Sequence, residues 1–306
     1  MASAGTPADQ VGADGQVLSG TSRLVAWANF VKVAHTVFAL PFAVVGMLLA
    51  ARNHPFDWGK AAIAVLAFAA ARFAAMGFNR IADREYDRRN PRTAARELPA
   101  GRMSLAEAWG LVAVAMLGFF ALAAMLNPLC LALSPLALAW ILSYSLSKRF
   151  TALCHLWLGV GTAMAPVGGY LAITGAWSTP WYLLVVLALG VAAWVAGFDV
   201  IYSLQDESFD REHGLSSAAV LLGAPGAVVL SRALHFIAVI ALTVFAITAD
   251  FGLWFYAGIG VAAALLIWEH RLVRPYDYAR LDQAFFTMNG IIAAVVMLGA
   301  VVDAVA

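Results

Sequence analysis

Long apolar stretches, separated by short polar connections, constrain this chain more than any other feature. Nine of them reach the length a helix needs to cross a bilayer, about 20 apolar residues: roughly Leu24 to Ala51, Gly59 to Asn79, Leu105 to Leu126, Leu129 to Leu146, Ala152 to Thr174, Trp181 to Ser203, Gly226 to Ala249, Leu253 to Val273 and Gln283 to Val302. Backbone groups in hydrocarbon must be satisfied within their own segment, which leaves helices as the economical solution for runs of this length. The expectation is an all-α polytopic membrane protein of nine transmembrane helices. Of its 306 residues 63% are hydrophobic and 12% charged, and a mean hydropathy of +0.82 excludes a soluble fold.

The connections set the expected orientation. Arg80, Arg84, Arg88, Arg89, Arg92, Arg96 and Arg102 lie between the second and third stretches, Lys148 and Arg149 after the fourth, Arg211 after the sixth, and Arg274 and Arg280 after the eighth. Basic residues stay on the cytoplasmic side, so these loops read as cytoplasmic in a cell inner membrane, with Arg52 and Lys60 as the exceptions on the outer side. Residues 1–22 carry no Lys or Arg and read as a disordered cytoplasmic tail, ahead of a single transmembrane domain over 23–306. Cys130 and Cys154 lie in apolar runs and read as small core residues, and the six histidines are too scattered for a metal site. His35 reads as a packing residue. Gly159, Gly161, Gly168 and Gly169 read as points of close helix contact, and Gly223-Ala224-Pro225 as a break ahead of the seventh stretch.

Acidic groups gather where two of the apolar stretches end. Asn79, Asp83 and Asp87 recur every four residues and would share one helical face. Asp199, Tyr202, Asp206 and Asp210 fall at i, i+3, i+7 and i+11, again one face. Asp206 follows Asp83 by 123 residues, and Asp210 follows Asp87 by the same interval. Two matched stripes imply one divided site at the cytoplasmic edge. Hard oxygen ligands of this kind suit Mg²⁺, which takes one or two carboxylates and keeps its other positions for water and phosphate oxygens. With the neighbouring arginines and lysines they form a polyanion clamp. A diphosphate carried by a lipid is the ligand that fits, and nothing in the chain calls for a nucleic acid.

The same residues resemble a known family. Asn79-Arg80-x-x-Asp83-x-x-x-Asp87, followed by Arg92-Thr93-x-x-Arg96-x-Leu98-Pro99-x-Gly101, is similar to the first signature of the UbiA superfamily of intramembrane aromatic prenyltransferases. The second signature is matched by Asp199-x-x-Tyr202-x-x-Gln205-Asp206-x-x-x-Asp210-x-x-x-Gly214. Lys32-x-x-His35-x-x-Phe38-x-x-Pro41 and Tyr144-x-x-x-Lys148-Arg149 extend the likeness over nearly the whole chain. Arg80 departs from it, since many members of the 4-hydroxybenzoate group have Asp there.

The resemblance implies a nine-helix bundle around a central cavity that opens sideways to lipid. It implies Mg²⁺-dependent transfer of a polyprenyl group from a polyprenyl diphosphate to an aromatic acid such as 4-hydroxybenzoate, in ubiquinone or menaquinone biosynthesis. By position Asn79, Asp83 and Asp87 would hold one Mg²⁺ and Asp206 and Asp210 the other, with Asp199 in support. Lys32, Arg96 and Lys148 would meet phosphate oxygens, and Tyr144 and Tyr202 would line the site. Arg72, two turns before Asn79 on the same face, would read the acceptor's carboxylate; the structural alternative pairs it with a buried acid such as Glu269. Lys32 has a snorkelling alternative. Because of Arg80, prenylation of 1,4-dihydroxy-6-naphthoate is the alternative acceptor reading. From other classes, a transporter or channel would use Arg72, Asp199 and Glu269 as an ion path, and an alcohol phosphotransferase would need a compact Asp-Gly and Ala-Arg signature that is not present.

Overall fold

The computed structural model describes residues 22–31, 40–273, 281 and 287–306. The expected tail, Lys32, His35, Arg274 and Arg280 lie outside the described residues. Among those described, every regular element is a helix: α1 Arg23–Phe30, α2 Leu40–Ala51, α3 Trp58–Ala82, α4 Arg84–Arg89, α5 Leu105–Leu126, α6 Pro128–Ser147, α7 Cys154–Thr174, α8 Tyr182–Tyr202, α9 Glu207–Glu212, α10 Ala218–Thr248, α11 Leu253–Leu272 and α12 Asn289–Val305. A 3₁₀ turn, Ser203–Asp206, joins α8 to α9. Helices α3, α5, α6, α7, α8, α10 and α11 are long and apolar enough to cross a membrane, so the protein is polytopic. Helices α2 and α12 are apolar but shorter, with 12 and 17 residues, or about 18 and 26 Å at the usual helical rise.

Local signals start these helices where the chain leaves water. Asp57, Ser104, Asn127 and Ser217 each accept the backbone N–H three residues on, which satisfies one of the orphan donors of a first turn. Helix α7 stops at Gly175, whose φ of 67° is open to glycine at no steric cost. Of the first apolar stretch, α1 and α2 are described and residues 32–39 between them are not. Helix α1 ends at Phe30, which is buried in a cluster with Ile81 and Val112, and Trp27 Nε1 donates to Glu107 Oε1 at 2.7 Å. The expected break near Gly223 is present within α10. Gly223 takes the non-helical φ 69° and ψ 171° and separates a short helix that begins at Ala218 from the long helix that follows.

Helix α8 is the packing centre, with 78% of its most apolar window buried against 17% for α5 and α6. It is gripped by α7 and α10 through small residues. A side chain at Gly159 would collide with the Ala192 carbonyl, and one at Gly197 with the His235 ring. Helix α2 meets α7 in the same way, at Gly46 against Pro166 and Gly169 against Ala43. Such contacts let backbones approach closely and gain dispersion energy where no water drives association. Of the four glycines expected to do this in α7, Gly159 and Gly169 do; Gly161 and Gly168 line a cavity.

At the end of the bundle away from the acidic motifs, Arg52 donates to the Asp250 carbonyl at 2.5 Å and lies 3.9 Å from Asp303 Oδ2. Asp303 also accepts the Gly252 N–H at 2.8 Å. This clasp ties α2, the α10–α11 turn and α12 together, and gives Arg52, an exception to the charge rule, a structural task.

Candidate active site

Helix α3 delivers the first acidic arm, but not as one straight stripe. The helix ends at Ala82, Asp83 adopts φ −95° and ψ 5°, and α4 starts at Arg84. The i to i−4 bonds still run through the joint, Asp83 N–H to the Asn79 carbonyl at 2.9 Å and Asp87 N–H to the Asp83 carbonyl at 2.8 Å. The expected single face is therefore bent at its middle member. Asn79 Nδ2 donates to Asp83 Oδ2 at 2.8 Å. Asp87 is 5% exposed and accepts Arg96 Nη1 at 2.7 Å on Oδ1, while its buried Oδ2 has no partner.

The second arm is interrupted as well. Asp199 and Tyr202 end α8, Asp206 closes the 3₁₀ turn and Asp210 sits in α9. Arg92 grips Asp206 as a fork, Nη2 to Oδ2 at 2.6 Å and Nε to Oδ1 at 3.1 Å, with Asn90 Nδ2 adding 3.1 Å. Its Nη1 also donates to the Tyr202 hydroxyl at 3.4 Å. Lys148 Nζ reaches Asp210 Oδ2 at 2.8 Å, and Arg149 Nη2 reaches Asp83 Oδ1 at 3.3 Å. Thus four carboxylates, two on each arm, hold four cations, supplied by the segment after α4 and by the end of α6.

These contacts fix the charge state at the rim. Burial and the nearby Asp87 push the Asp83 carboxyl up to about 6, and Arg149 and Lys148 pull against that rise. Burial alone would lower the Lys148 ammonium, but Asp210 and Asp206 outweigh it and hold Lys148 above its ordinary range. Lys148 is therefore charged at neutral pH.

Both arms open on one cavity of about 750 Å³. Arg72, Asn79, Asp83, Asp87, Arg96, Tyr144, Lys148, Asp199, Tyr202, Asp206 and Asp210 all line it, so every described site residue expected from the sequence is brought to the same wall. The rest of the lining is mainly apolar, including Phe68, Phe119, Leu133, Trp157 and Phe198. For Arg72 the structural alternative is not formed. Arg72 lines the cavity with a buried Nε that has no partner among the described residues, whereas Glu269 accepts from Asn289 Nδ2 at 3.4 Å.

Sequence reasoning missed four members: Asn90, Arg92, Arg149 and His155. Arg92 and Arg149 stood inside motifs already recognised, which was the available signal. His155 gave none, being a lone histidine in an apolar run. Its Nδ1 lies 2.7 Å from Asp199 Oδ2.

Among the described residues no three His, Cys, Asp or Glu side chains converge as an all-protein metal cage would require. Mg²⁺ held with a diphosphate needs no such cage, because phosphate and water complete its octahedron. The donors are carboxylate and amide oxygens on two arms, and Asp87 Oδ2 is a buried acceptor with nothing to accept. The residues fit that ion.

A profile of the UbiA prenyltransferase family matches residues 39–291. The 4-hydroxybenzoate octaprenyltransferase of Nitrosomonas europaea is 33% identical over 258 residues, covering 84% of this chain and 86% of that one. That of Aromatoleum aromaticum is 33% identical over 231 residues, covering 74% and 76%. Among solved structures, an apo UbiA homologue from Aeropyrum pernix superposes with a TM-score of 0.81 at 37% identity, covering 89% of this chain and 98% of that one. A UbiA homologue from Archaeoglobus fulgidus bound to GPP and Mg²⁺ shares the fold, with a TM-score of 0.67 at 21% identity over 92% and 100% of the two chains.

Proposed function

The chain belongs to the UbiA prenyltransferase family, and from that premise we propose that it transfers a polyprenyl group from a polyprenyl diphosphate to an aromatic acid of the 4-hydroxybenzoate type, with Mg²⁺. The observation that carries this reading is the meeting of two acidic arms and four cations at one end of an apolar cavity whose wall holds a guanidinium, Arg72, with no partner for its Nε among the described residues. A diphosphate needs the first, a prenyl chain the second and an aromatic carboxylate the third.

Asn79, Asp83 and Asp87 would hold one Mg²⁺ and Asp206 and Asp210 a second; the metal supplies charge neutralisation for the departing diphosphate. Arg92, Arg96, Lys148 and Arg149, now held by carboxylates, exchange onto phosphate oxygens and stabilise the charge that develops there. Lys32 is assigned to the same group. The allylic carbon–oxygen bond breaks with its electron pair leaving on diphosphate, and a ring carbon of the acceptor forms the new carbon–carbon bond. Tyr144, Tyr202, Trp157 and Phe198 line the cavity, where aromatic rings can stabilise the allylic cation while apolar walls keep water from capturing it. Arg72 takes the acceptor's carboxylate.

The working bundle counts nine spans around a central cavity, in one membrane domain over 23–306 behind a 1–22 tail. The arms face the cytoplasm, in keeping with the arginines of the 80–102 segment. Arg80, buried and next to Asn79 in the chain, keeps 1,4-dihydroxy-6-naphthoate as the alternative acceptor. The test is a product assay on purified protein with a polyprenyl diphosphate and Mg²⁺, offering both acids side by side. Prenylation of neither acid rejects the reading.

A further inference from the structure

Five carboxylates line the cavity's polar end, and one of them is held differently from the rest. Asp83, Asp87, Asp206 and Asp210 each pair with an arginine or lysine. Asp199 pairs with His155, which is 2% exposed in the first turn of α7. The His155 ring is fixed at both nitrogens. Its Nε2 lies 3.2 Å from the Ala218 backbone N–H, the first of α10, and Nδ1 lies 2.7 Å from Asp199 Oδ2. A backbone N–H can only donate, so Nε2 carries the lone pair, and the proton sits on Nδ1 and is donated to Asp199. The hydrogen bond fixes the orientation of the carboxylate. The other oxygen, Asp199 Oδ1, has no hydrogen-bond partner among the described residues, and both Asp199 and His155 contribute to the cavity wall.

We propose that His155 is a positioning residue that holds Asp199 as the proton acceptor of the prenylation reaction. This rests on the reading of the cavity as a prenyltransferase site. When the ring carbon bonds to the prenyl carbon, the proton at that carbon must leave and its electron pair must return to the ring. Asp199 Oδ1 takes the proton, becoming the neutral acid; deprotonation to water after product release restores it. The four cation-paired acids are unsuited to this task, since their partners are drawn to diphosphate and they themselves toward metal. His155 has both ring nitrogens engaged within the protein, and is tied to α7, α8 and α10 at once. Depth agrees as well. Asp199 lies in α8, ahead of the 3₁₀ turn that carries Asp206, and Arg72 lies eleven residues before Asp83, about 16 Å along α3. A ring whose carboxylate sits at Arg72 would turn its far edge toward the level of Asp199.

The two roles of the imidazole can be separated by amides of different length. In His155→Asn the amide nitrogen falls near Nδ1 and keeps the donor to Asp199. In His155→Gln the amide oxygen falls near Nε2 and keeps the acceptor for Ala218, but the donor to Asp199 is lost. Steady-state prenylation is measured with 4-hydroxybenzoate and with its form deuterated at the reacting ring carbon. His155→Gln should lose about 100-fold in kcat, within the range a positioned base contributes, with KM for the prenyl diphosphate unchanged. A primary isotope effect absent from the wild type should appear, because proton removal has become slow. His155→Asn should recover most of the rate and show no isotope effect, and Asp199→Asn should show both the loss and the isotope effect. Equal losses in the Asn and Gln variants with no isotope effect would make His155 a packing residue and overturn the proposal. So would wild-type rates in His155→Gln. No product from the wild type would instead sink the prenyltransferase reading, and this proposal with it.

Discussion

The two ends of the cavity treat charge in opposite ways. At the polar end Asp83, Asp87, Asp206 and Asp210 each have an arginine or lysine within salt-bridge distance, so these four charges are matched before any substrate arrives. Farther along the wall Arg72 offers a guanidinium whose Nε is buried without a partner. Unpaired charge in an apolar wall is costly, whereas paired charge recovers part of its desolvation. The difference separates two kinds of recognition. Paired groups can trade partners, carboxylates to metal and cations to phosphate, with little net change in charge. The unpaired one can only gain, and what it gains is an anion.

The largest effect expected from this contrast is on stability, and its sign differs between the regions. Arg92→Ala leaves Asp206 in a site where the two side chains are only 16% and 14% exposed, and removing one partner of such a pair should cost about 3 kcal/mol. Arg149→Ala acts on a pair 37% and 28% exposed and should cost under about 1 kcal/mol. Arg72→Met removes a charge with no partner to strand, so stability should stay level or rise. Denaturant unfolding in mild detergent compares the three. A loss in Arg72→Met as large as that in Arg92→Ala would mean that Arg72 is paired after all, and the contrast would fail.

Next in size is the rate. Asp83→Asn and Asp206→Asn keep shape and remove charge from one arm each, and each should lose at least about 100-fold in turnover, the scale of roughly 2.7 kcal/mol for one transition-state charge stabiliser. Excess chelator should stop the wild type, and added Mg²⁺ should restore it. Near-normal turnover in both folded variants would make the arms structural.

The parts read correctly from sequence were those with a local cause. Apolar run length located the long helices, and Ser104 or Asn127 before a run marked a start through a single capping bond. The acids and most of the basic residues of the site were visible as spaced motifs. The bends at Asp83 and at the Ser203–Asp206 turn were not, because spacing of four continues through both joints while the backbone changes course. The partners of the acids were invisible for a different reason. Arg92 meets Asp206 across 114 residues and His155 meets Asp199 across 44, and such pairings exist only once α7, α8 and the 90–102 segment are packed. The burial of Phe30 and the Trp27–Glu107 bond were equally out of reach, because both join α1 to α3 and α5 across the fold.

The smallest effect tests the interior by itself. Arg72 lies seven residues before Asn79, about 10 Å along α3, which is too far from the arms to serve the diphosphate and suited to the acceptor. A planar guanidinium can take a carboxylate through two parallel hydrogen bonds, and the ammonium of a lysine cannot reproduce that fork. Arg72→Lys keeps the charge and removes the geometry. It should therefore weaken use of the aromatic acid by about 1.5 to 3 kcal/mol, the scale of a hydrogen bond to a charged group, or roughly 10-fold to 150-fold in kcat/KM. KM for the prenyl diphosphate should not move, since its ligands lie at the other end of the cavity. The variant should also discriminate less between the acid and its methyl ester, which cannot accept the fork in either protein. Kinetics with both acceptors check this. An acid-to-ester preference unchanged in a stably folded Arg72→Lys would show that the unpaired guanidinium is not waiting for the substrate's carboxylate, and the division of labour between the two ends of the cavity would have to be redrawn.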